Sequence, residues 1–391
     1  MKIYLLPYTF KTYLSADKIH SGIDMSIMQT ANALRKRGHN IRLFYVAGNL
    51  PEHYNAFAYN DSICSDLKEY VKRNRRDIYR VLVDDIKKFS PDIIFSCHEL
   101  SKFYQDLNQI LPIPIIYQTQ SIPGFFADLN YANSLYDLSN NGMSIACVSE
   151  YHKNKFETYY KKHRTGWKFD KIDVDAIIPS SYCLEPITAI ESDGVVRHVS
   201  ALNPQKKTFA IHHFLEGTGI YSEVFTTSSY LSSDKSIVEY AKTNLSKYGD
   251  KTKLNADRNL ILSSIAKSAC TFVGLASYDT YTITSLESLS HGVPLIVWGT
   301  KDRIHPALEM CDDVMKEKYI AVIKNKQEFL SAVEKFKNYS LNDRQELADR
   351  TYEMNSMGKF TKNLESIFQL AIEKSKAKQR LSSTLDFFIC S

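Results

Sequence analysis

Between Cys270 and Gly299 the chain reads CTFVGLASYDTYTITSLESLSHGVPLIVWG. CTFVGL is a short apolar run of the length of a buried strand, SYDTY a loop, TSLESLSH a short helix, and PLIVWG a second buried strand that starts at Pro294. Gly292 stands where a helix is terminated by a residue in the left-handed region. The stretch thus reads strand, loop, helix, strand, one β-α-β unit of a parallel sheet. It also carries two carboxylates, Asp279 on the loop and Glu287 in the first turns of the helix. The N–H groups of Tyr281, Thr282 and Ile283 crowd the start of that helix and attract anions. Thr284-x-x-Glu287 also has the form of a capping box, with Glu287 reaching back to the N–H of Thr284, and Asp279 also suits a plain loop, because Asp favours turns.

The same alternation extends in both directions. In the first half KIYLLPY, NIRLFYVA, DIIFSC, IPIIYQ and SIACVS are apolar runs separated by helical patterns, among them Ile23 to Lys36 and a polar helix through 62–88. In SGIDMSIMQTANALRKRGHNIRLFY, Gly22 precedes a helix with apolar residues at Ile23, Ile27, Ala31 and Leu34, and Gly38 follows as its C-cap. The free N–H groups at that helix start could face an anionic ligand, although Gly22 suits an ordinary helix start equally well. After EPITAIESDGVVRHV the alternation restarts with VVRHVSAL, a helix over Thr208 to Glu216, SEVFTT, CTFVGL and PLIVWG, and the tail from Asn342 to about Lys378 is helical and polar. The expectation is two Rossmann-like parallel-sheet domains, 1–185 and 186–365, joined by a linker near 184–194. A helical tail, 366–391, is expected to return to the first domain. Two such domains would face a cleft, with ligands at the carboxyl ends of the strands.

Composition narrows the class. At 391 residues and 44% hydrophobic content the chain can bury a substantial core. No window approaches a membrane span, and MKIYLLPYTFKTY lacks the apolar core of a signal peptide, so a soluble cytoplasmic protein is expected. The cysteines are seven, scattered, and never in C-x-x-C pairs, which argues against a disulfide framework or a thiolate zinc site. The net charge of +5 is concentrated in two clusters, LKEYVKRNRRDIYR (Leu67 to Arg80) and KNKFETYYKKHRTGWKFDK (Lys153 to Lys171). Such runs are commonly solvated helix faces, but basic residues interleaved with Tyr and Trp also suit a polyanionic partner.

Strand, loop acid, seven intervening residues, Glu on a short helix, Gly-x-Pro and a second strand resemble the E-x7-E region of retaining GT-B nucleotide-sugar glycosyltransferases of the family-4-like group. RKRGHNIRLFYV, FSPDIIFSCHE and SIACVSEYHK resemble further segments of that family. The resemblance implies that Asp279, in place of the usual Glu, contacts the transferred sugar and that Glu287 binds the ribose hydroxyls. The N–H groups of Tyr281, Thr282 and Ile283, and the loop at Gly22, would lie on the phosphate side. Lys206, in VSALNPQKKTFA, fits the family's diphosphate-binding Lys, while Ala201 occupies the position of its Arg, for which Arg197 or Lys207 could substitute. In IIYQTQSIPGFF the family often has a His, where this chain has Gln118, Thr119 and Gln120, so His98 is the nearest candidate from the first domain. His98 also suits a hydrogen-bonded core residue.

The implied chemistry is metal-independent, front-face transfer from a UDP-sugar, with no cofactor and with the leaving diphosphate stabilised electrostatically. More weakly, the Lys- and Tyr-rich sequence is similar to the hydroxymethylcytosine DNA glycosyltransferases of T-even-type phages. That resemblance implies glucosyl or arabinosyl transfer to 5-hydroxymethylcytosine in duplex DNA in the host cytoplasm. Lys72, Arg73, Arg75, Arg76, Lys161, Lys162, Arg164 and Lys168 would then contact phosphates, with the target base flipped out of the stack. The alternatives are a lipid-linked or envelope polysaccharide acceptor, with peripheral membrane contact, and a non-catalytic nucleotide- or DNA-binding protein of the same fold.

Overall fold

The computed structural model of the protein describes residues 1–6, 22–44, 56–57, 75–97, 111, 113–119, 143–154, 173–179, 185–200, 202, 207–226, 235–274, 282–299 and 305–389. The chain divides into two compact units, one of Met1–Cys183 with Met357–Ser391, the other of Leu184–Ser356. The second division falls before Met357 rather than at 365. Helix α9 (Leu341–Asn355) ends at Ser356, and α10 (Met357–Ile389) begins at once, so the polar tail is two helices belonging to different units.

The first unit holds a seven-stranded parallel sheet of β1 (Lys2–Leu6), β2 (Asn40–Phe44), β3 (Ala56–Phe57), β4 (Ile93–Ser96), β5 (Ile115–Gln118), β6 (Ser144–Cys147) and β7 (Ala176–Ile177), in the order β3-β2-β1-β4-β5-β6-β7. Strands β4, β5 and β6 are buried at every position, which is why they read as unbroken apolar runs instead of alternating ones. Helix α1 (Gly22–Lys36) lays Ile27, Ala31 and Leu34 on the sheet. It ends in a left-handed turn at Gly38 (φ 85°), where His39 N–H donates to Leu34 O at 3.2 Å. Helix α10 adds Leu364, Phe368, Ala371 and Ile372 to the same core, a stripe at helical spacing. Its Glu365 accepts two hydrogen bonds from Arg37, at 2.6 and 2.8 Å, and one contact from His39 at 2.7 Å. Helix α2 (Arg75–Phe89) belongs to the same unit.

The second unit is a six-stranded parallel sheet of β8 (Val196–Val199), β9 (Ser222–Thr226), β10 (Thr252–Leu254), β11 (Cys270–Val273), β12 (Leu295–Trp298) and β13 (Ile320–Ile323), in the order β10-β9-β8-β11-β12-β13. Its helices are α3 (Ala210–Leu215), α4 (Lys235–Tyr248), α5 (Arg258–Lys267), α6 (Ile283–Ser290), α7 (Asp313–Tyr319), α8 (Lys326–Lys337) and α9. Phe329, Ala332, Val333 and Phe336 of α8 pack on Val196, Cys270, Phe272 and Ile296 of the sheet. Strand order reverses between β8 and β11, so the crossovers leave these neighbours in opposite directions, the switch point outside whose carboxyl ends α/β sheets bind their ligands.

Candidate functional site in the second unit

The carboxyl ends of β8 and β11 lie side by side, in register through Val196 with Cys270, Arg197 with Thr271 and His198 with Phe272. The segments that leave those ends carry the expected donor-binding residues. Asp279 and Tyr281 follow β11, and Ala201 and Lys206 follow β8; all four lie outside the described residues. The chain resumes at Thr282, the extended N-cap of α6, and at Lys207, an exposed residue with φ 54°. Ile283 and Thr284 open α6, where position alone leaves backbone N–H groups without a carbonyl inside the helix.

Helix α6 is unusual for its combination of polar composition and burial. Every residue from Ser285 to Ser290 is buried. The hydroxyls are satisfied locally: Ser288 Oγ bonds Thr271 Oγ1 at 2.9 Å and Thr284 O at 2.8 Å, and Ser290 Oγ donates to Glu287 O at 2.8 Å. Glu287 is different. It is fully buried, one carboxylate oxygen accepts from Arg258 Nη2, and the other, Oε2, is buried with no hydrogen-bond partner among the described residues. A buried carboxylate oxygen left unpaired is costly, and an orphan of this kind in a native fold calls for a reason.

The capping-box alternative does not form. Thr282, not Thr284, is the N-cap; it makes no side-chain bond to the backbone, and its Oγ1 bonds Ser285 Oγ at 2.8 Å. Glu287 turns instead toward Arg258, the first residue of α5, which packs beside α6. Below Glu287, His291 Nδ1 lies 2.7 Å from Glu287 O, and burial, followed by the nearby Arg258 and Arg344, lowers the pKa of this imidazole.

Arg197 cannot stand in for the missing Arg at 201. Asp193 binds its guanidinium at 3.0 and 2.7 Å and Glu223 binds Nε at 2.8 Å, so two carboxylates neutralise it early in β8, away from the carboxyl end. In the first unit Gly22 is the first residue of α1, and Arg75 and Arg76 are the first two of α2. His98, Lys72, Arg73, Lys161, Lys162, Arg164 and Lys168 lie outside the described residues. Gln118 is a structural tie, buried between Cys97 Sγ at 2.9 Å and Ile178 O.

Sequence reading missed Arg258 and Arg344. Arg258 meets Glu287 across 29 positions, with no motif linking them. Arg344 is 1% exposed and donates to the carbonyls of Ser268 at 2.8 Å and Ala266 at 2.6 Å, locking α9 onto the end of α5. Among the described residues no cluster of three or more His, Cys, Asp or Glu could hold a metal, and no helix is long and apolar enough to cross a membrane.

No family model matches this chain, and no curated protein matches it in sequence. Solved structures do match its fold. HepE from Anabaena in complex with UDP and glucose aligns with TM-score 0.66 at 13% identity, over 94% of this chain and 99% of that one. Sucrose-phosphate synthase from Thermosynechococcus elongatus aligns with TM-score 0.63 at 12% identity, over 94% and 98%. An alpha-glucosyltransferase in complex with UDP aligns with TM-score 0.60 at 11% identity, over 94% and 99%. At these identities the likeness is one of fold, and that fold is GT-B, two parallel α/β units of the kind described above.

Proposed function

We propose that this protein is a retaining glycosyltransferase that moves a sugar from a UDP-sugar to a hydroxyl acceptor. One observation carries the reading: Glu287 is an entirely buried carboxylate with one oxygen held by Arg258 and the other unpartnered, on the helix after a switch-point strand. That is the hydrogen-bonding complement of a ribose, whose hydroxyls are donors. HepE and the alpha-glucosyltransferase, both solved with UDP, support uridine as the base.

In this reading Glu287 receives the ribose, and the N–H groups of Tyr281, Thr282 and Ile283 with Lys206 meet the diphosphate. Asp279 meets the transferred sugar. The bond from the sugar's anomeric carbon to the UDP oxygen breaks as a bond to the acceptor oxygen forms on the same face. The acceptor's proton passes to the departing phosphate. The protein's work is to stabilise the charge developing on the diphosphate and to hold both partners in line, with no metal required.

The acceptor we favour is 5-hydroxymethylcytosine in duplex DNA. Support comes from the basic clusters at Leu67–Arg80 and Lys153–Lys171 in the first unit, of which Arg75 and Arg76 begin α2. Mass spectrometry of hydroxymethylated DNA incubated with the protein and a panel of UDP-sugars tests this, with a glycosyl mass gain on the modified base expected. Donor hydrolysis with no gain on DNA overturns the DNA acceptor; no turnover of any UDP-sugar overturns the enzyme. Glu287→Gln is expected to weaken UDP binding roughly tenfold to a hundredfold, the range of a hydrogen bond to a charged acceptor.

A further inference from the structure

We infer that Arg258 is a positioning residue that makes Glu287 selective for ribonucleotides: it holds one carboxylate oxygen so that the other faces a pair of ribose hydroxyls. This rests on the reading that Glu287 meets the donor's ribose.

The pair is asymmetric. Glu287 has no exposed side-chain surface, whereas the side chain of Arg258 is 38% exposed. The cation therefore remains stable in contact with water without its partner, while the carboxylate depends on the cation to stay charged in the interior. Arg258 is itself anchored. Asp257, in extended conformation, caps α5 by accepting from Leu260 N–H at 2.8 Å, which fixes the backbone from which Arg258 springs. A single N–H of the Arg258 guanidinium then ties Glu287 Oε1 to α5, which leaves Oε2 as the oxygen turned away from the cation.

Oε2 has no partner among the described residues. A carboxylate oxygen with fixed direction and vacant lone pairs accepts from hydroxyls, and a ribose offers two adjacent ones. A 2′,3′-dideoxyribose offers none, so placing it here leaves the buried oxygen unpaired and is penalised. A carboxylate free to rotate would lose this discrimination even if it remained charged.

The test is calorimetric titration of UDP and 2′,3′-dideoxy-UDP into the full-length protein. The wild type is expected to prefer UDP. Arg258→Gln is expected to weaken UDP roughly tenfold to a hundredfold while changing dideoxy-UDP much less, which collapses the preference. Glu287→Gln should collapse it too, and the double variant should be no worse than Glu287→Gln alone, because both changes remove one device. Arg258→Lys keeps the charge but not the reach and fixed N–H direction of the guanidinium, and carries the test if the Gln variant is unstable; it too should weaken UDP more than dideoxy-UDP. Equal weakening of both ligands by either Arg258 variant, or none, overturns the inference. A Glu287→Gln protein that keeps the full preference overturns the ribose reading itself, whatever Arg258 does.

Discussion

Arg258 and Arg344 show two ways of placing a cation beside a core. Arg258 neutralises a buried carboxylate, whereas Arg344 makes no ion pair among the described residues and donates to the carbonyls of Ala266 and Ser268, at the negative end of the α5 dipole. Its neighbour Gly292 adopts φ 71°, and a Cβ there would stand 2.2 Å from Arg344 O. Gly292→Ala combines backbone strain with collision against a backbone atom, so it should lower stability by roughly 2–4 kcal/mol in denaturant unfolding. Gly38→Ala meets nothing within 4 Å at φ 85° and should cost only about 1 kcal/mol; equal losses at both sites would show that the collision is relieved. His212 supplies a pH dependence. It is 3% exposed, and burial, then Lys251, His198 and His213, push its pKa down to about 4, with only Asp250 opposing. The unfolded chain binds this proton more tightly, so stability is full above about 6.5 and falls as pH drops toward 4, by roughly 3 kcal/mol. Unfolding of His212→Gln should be flatter across that window; an unchanged slope would assign the proton elsewhere.

At the scale of elements, helix ends divide into those written in the sequence and those set by surroundings. Ser340 and Asp343 form a reciprocal capping box on α9, with Asp343 N–H donating to Ser340 Oγ at 3.2 Å and Ser340 N–H to Asp343 Oδ2 at 3.1 Å. Ser340→Ala should therefore cost about 1 kcal/mol, whereas Thr282→Ser, which has no cap to lose and keeps a hydroxyl for Ser285, should cost a few tenths. Thermal unfolding of the two variants measures the contrast. The capping pattern at Thr284 and Glu287 pointed the wrong way because α6 starts two residues earlier, after Thr282, and Glu287 is taken up by Arg258 instead. Strand β13 was not legible as such, since at the sheet edge only its end residues Ile320 and Ile323 are buried, while Ala321 is half-buried and Val322 exposed. The central strands were legible because both faces are covered and the whole run must be apolar.

For the whole molecule, the chain crosses from the second unit back to the first at Met357. Helix α10 belongs to the first core through Phe368, whose ring lies 5.7 Å from that of Phe95. Phe368→Ala should cost about 3–5 kcal/mol. Hydrogen exchange should quicken in β1, β4 and α1 while β8, β11 and β12 keep their protection; a uniform increase would show that the two units unfold together. Arg37, followed by His39, holds Glu365 at a pKa of about 2, well below the usual carboxylate range, so this tie is intact above about 4.5 and is lost as pH falls toward 2.

Hydrophobic spacing alone determined that this protein has parallel sheets in two units, because a strand covered on both faces must be continuously apolar and a helix must return between strands. The same stretch that shows this, Cys270 to Gly299, also named Glu287. What surrounds Glu287 was decided only by tertiary structure. Its partner lies 29 residues away on another helix, its burial comes from α5, α9 and the sheet closing around α6, and Arg197 is withdrawn from the site by two carboxylates. Ion pairing and burial depend on which helices meet, and local sequence does not encode that choice.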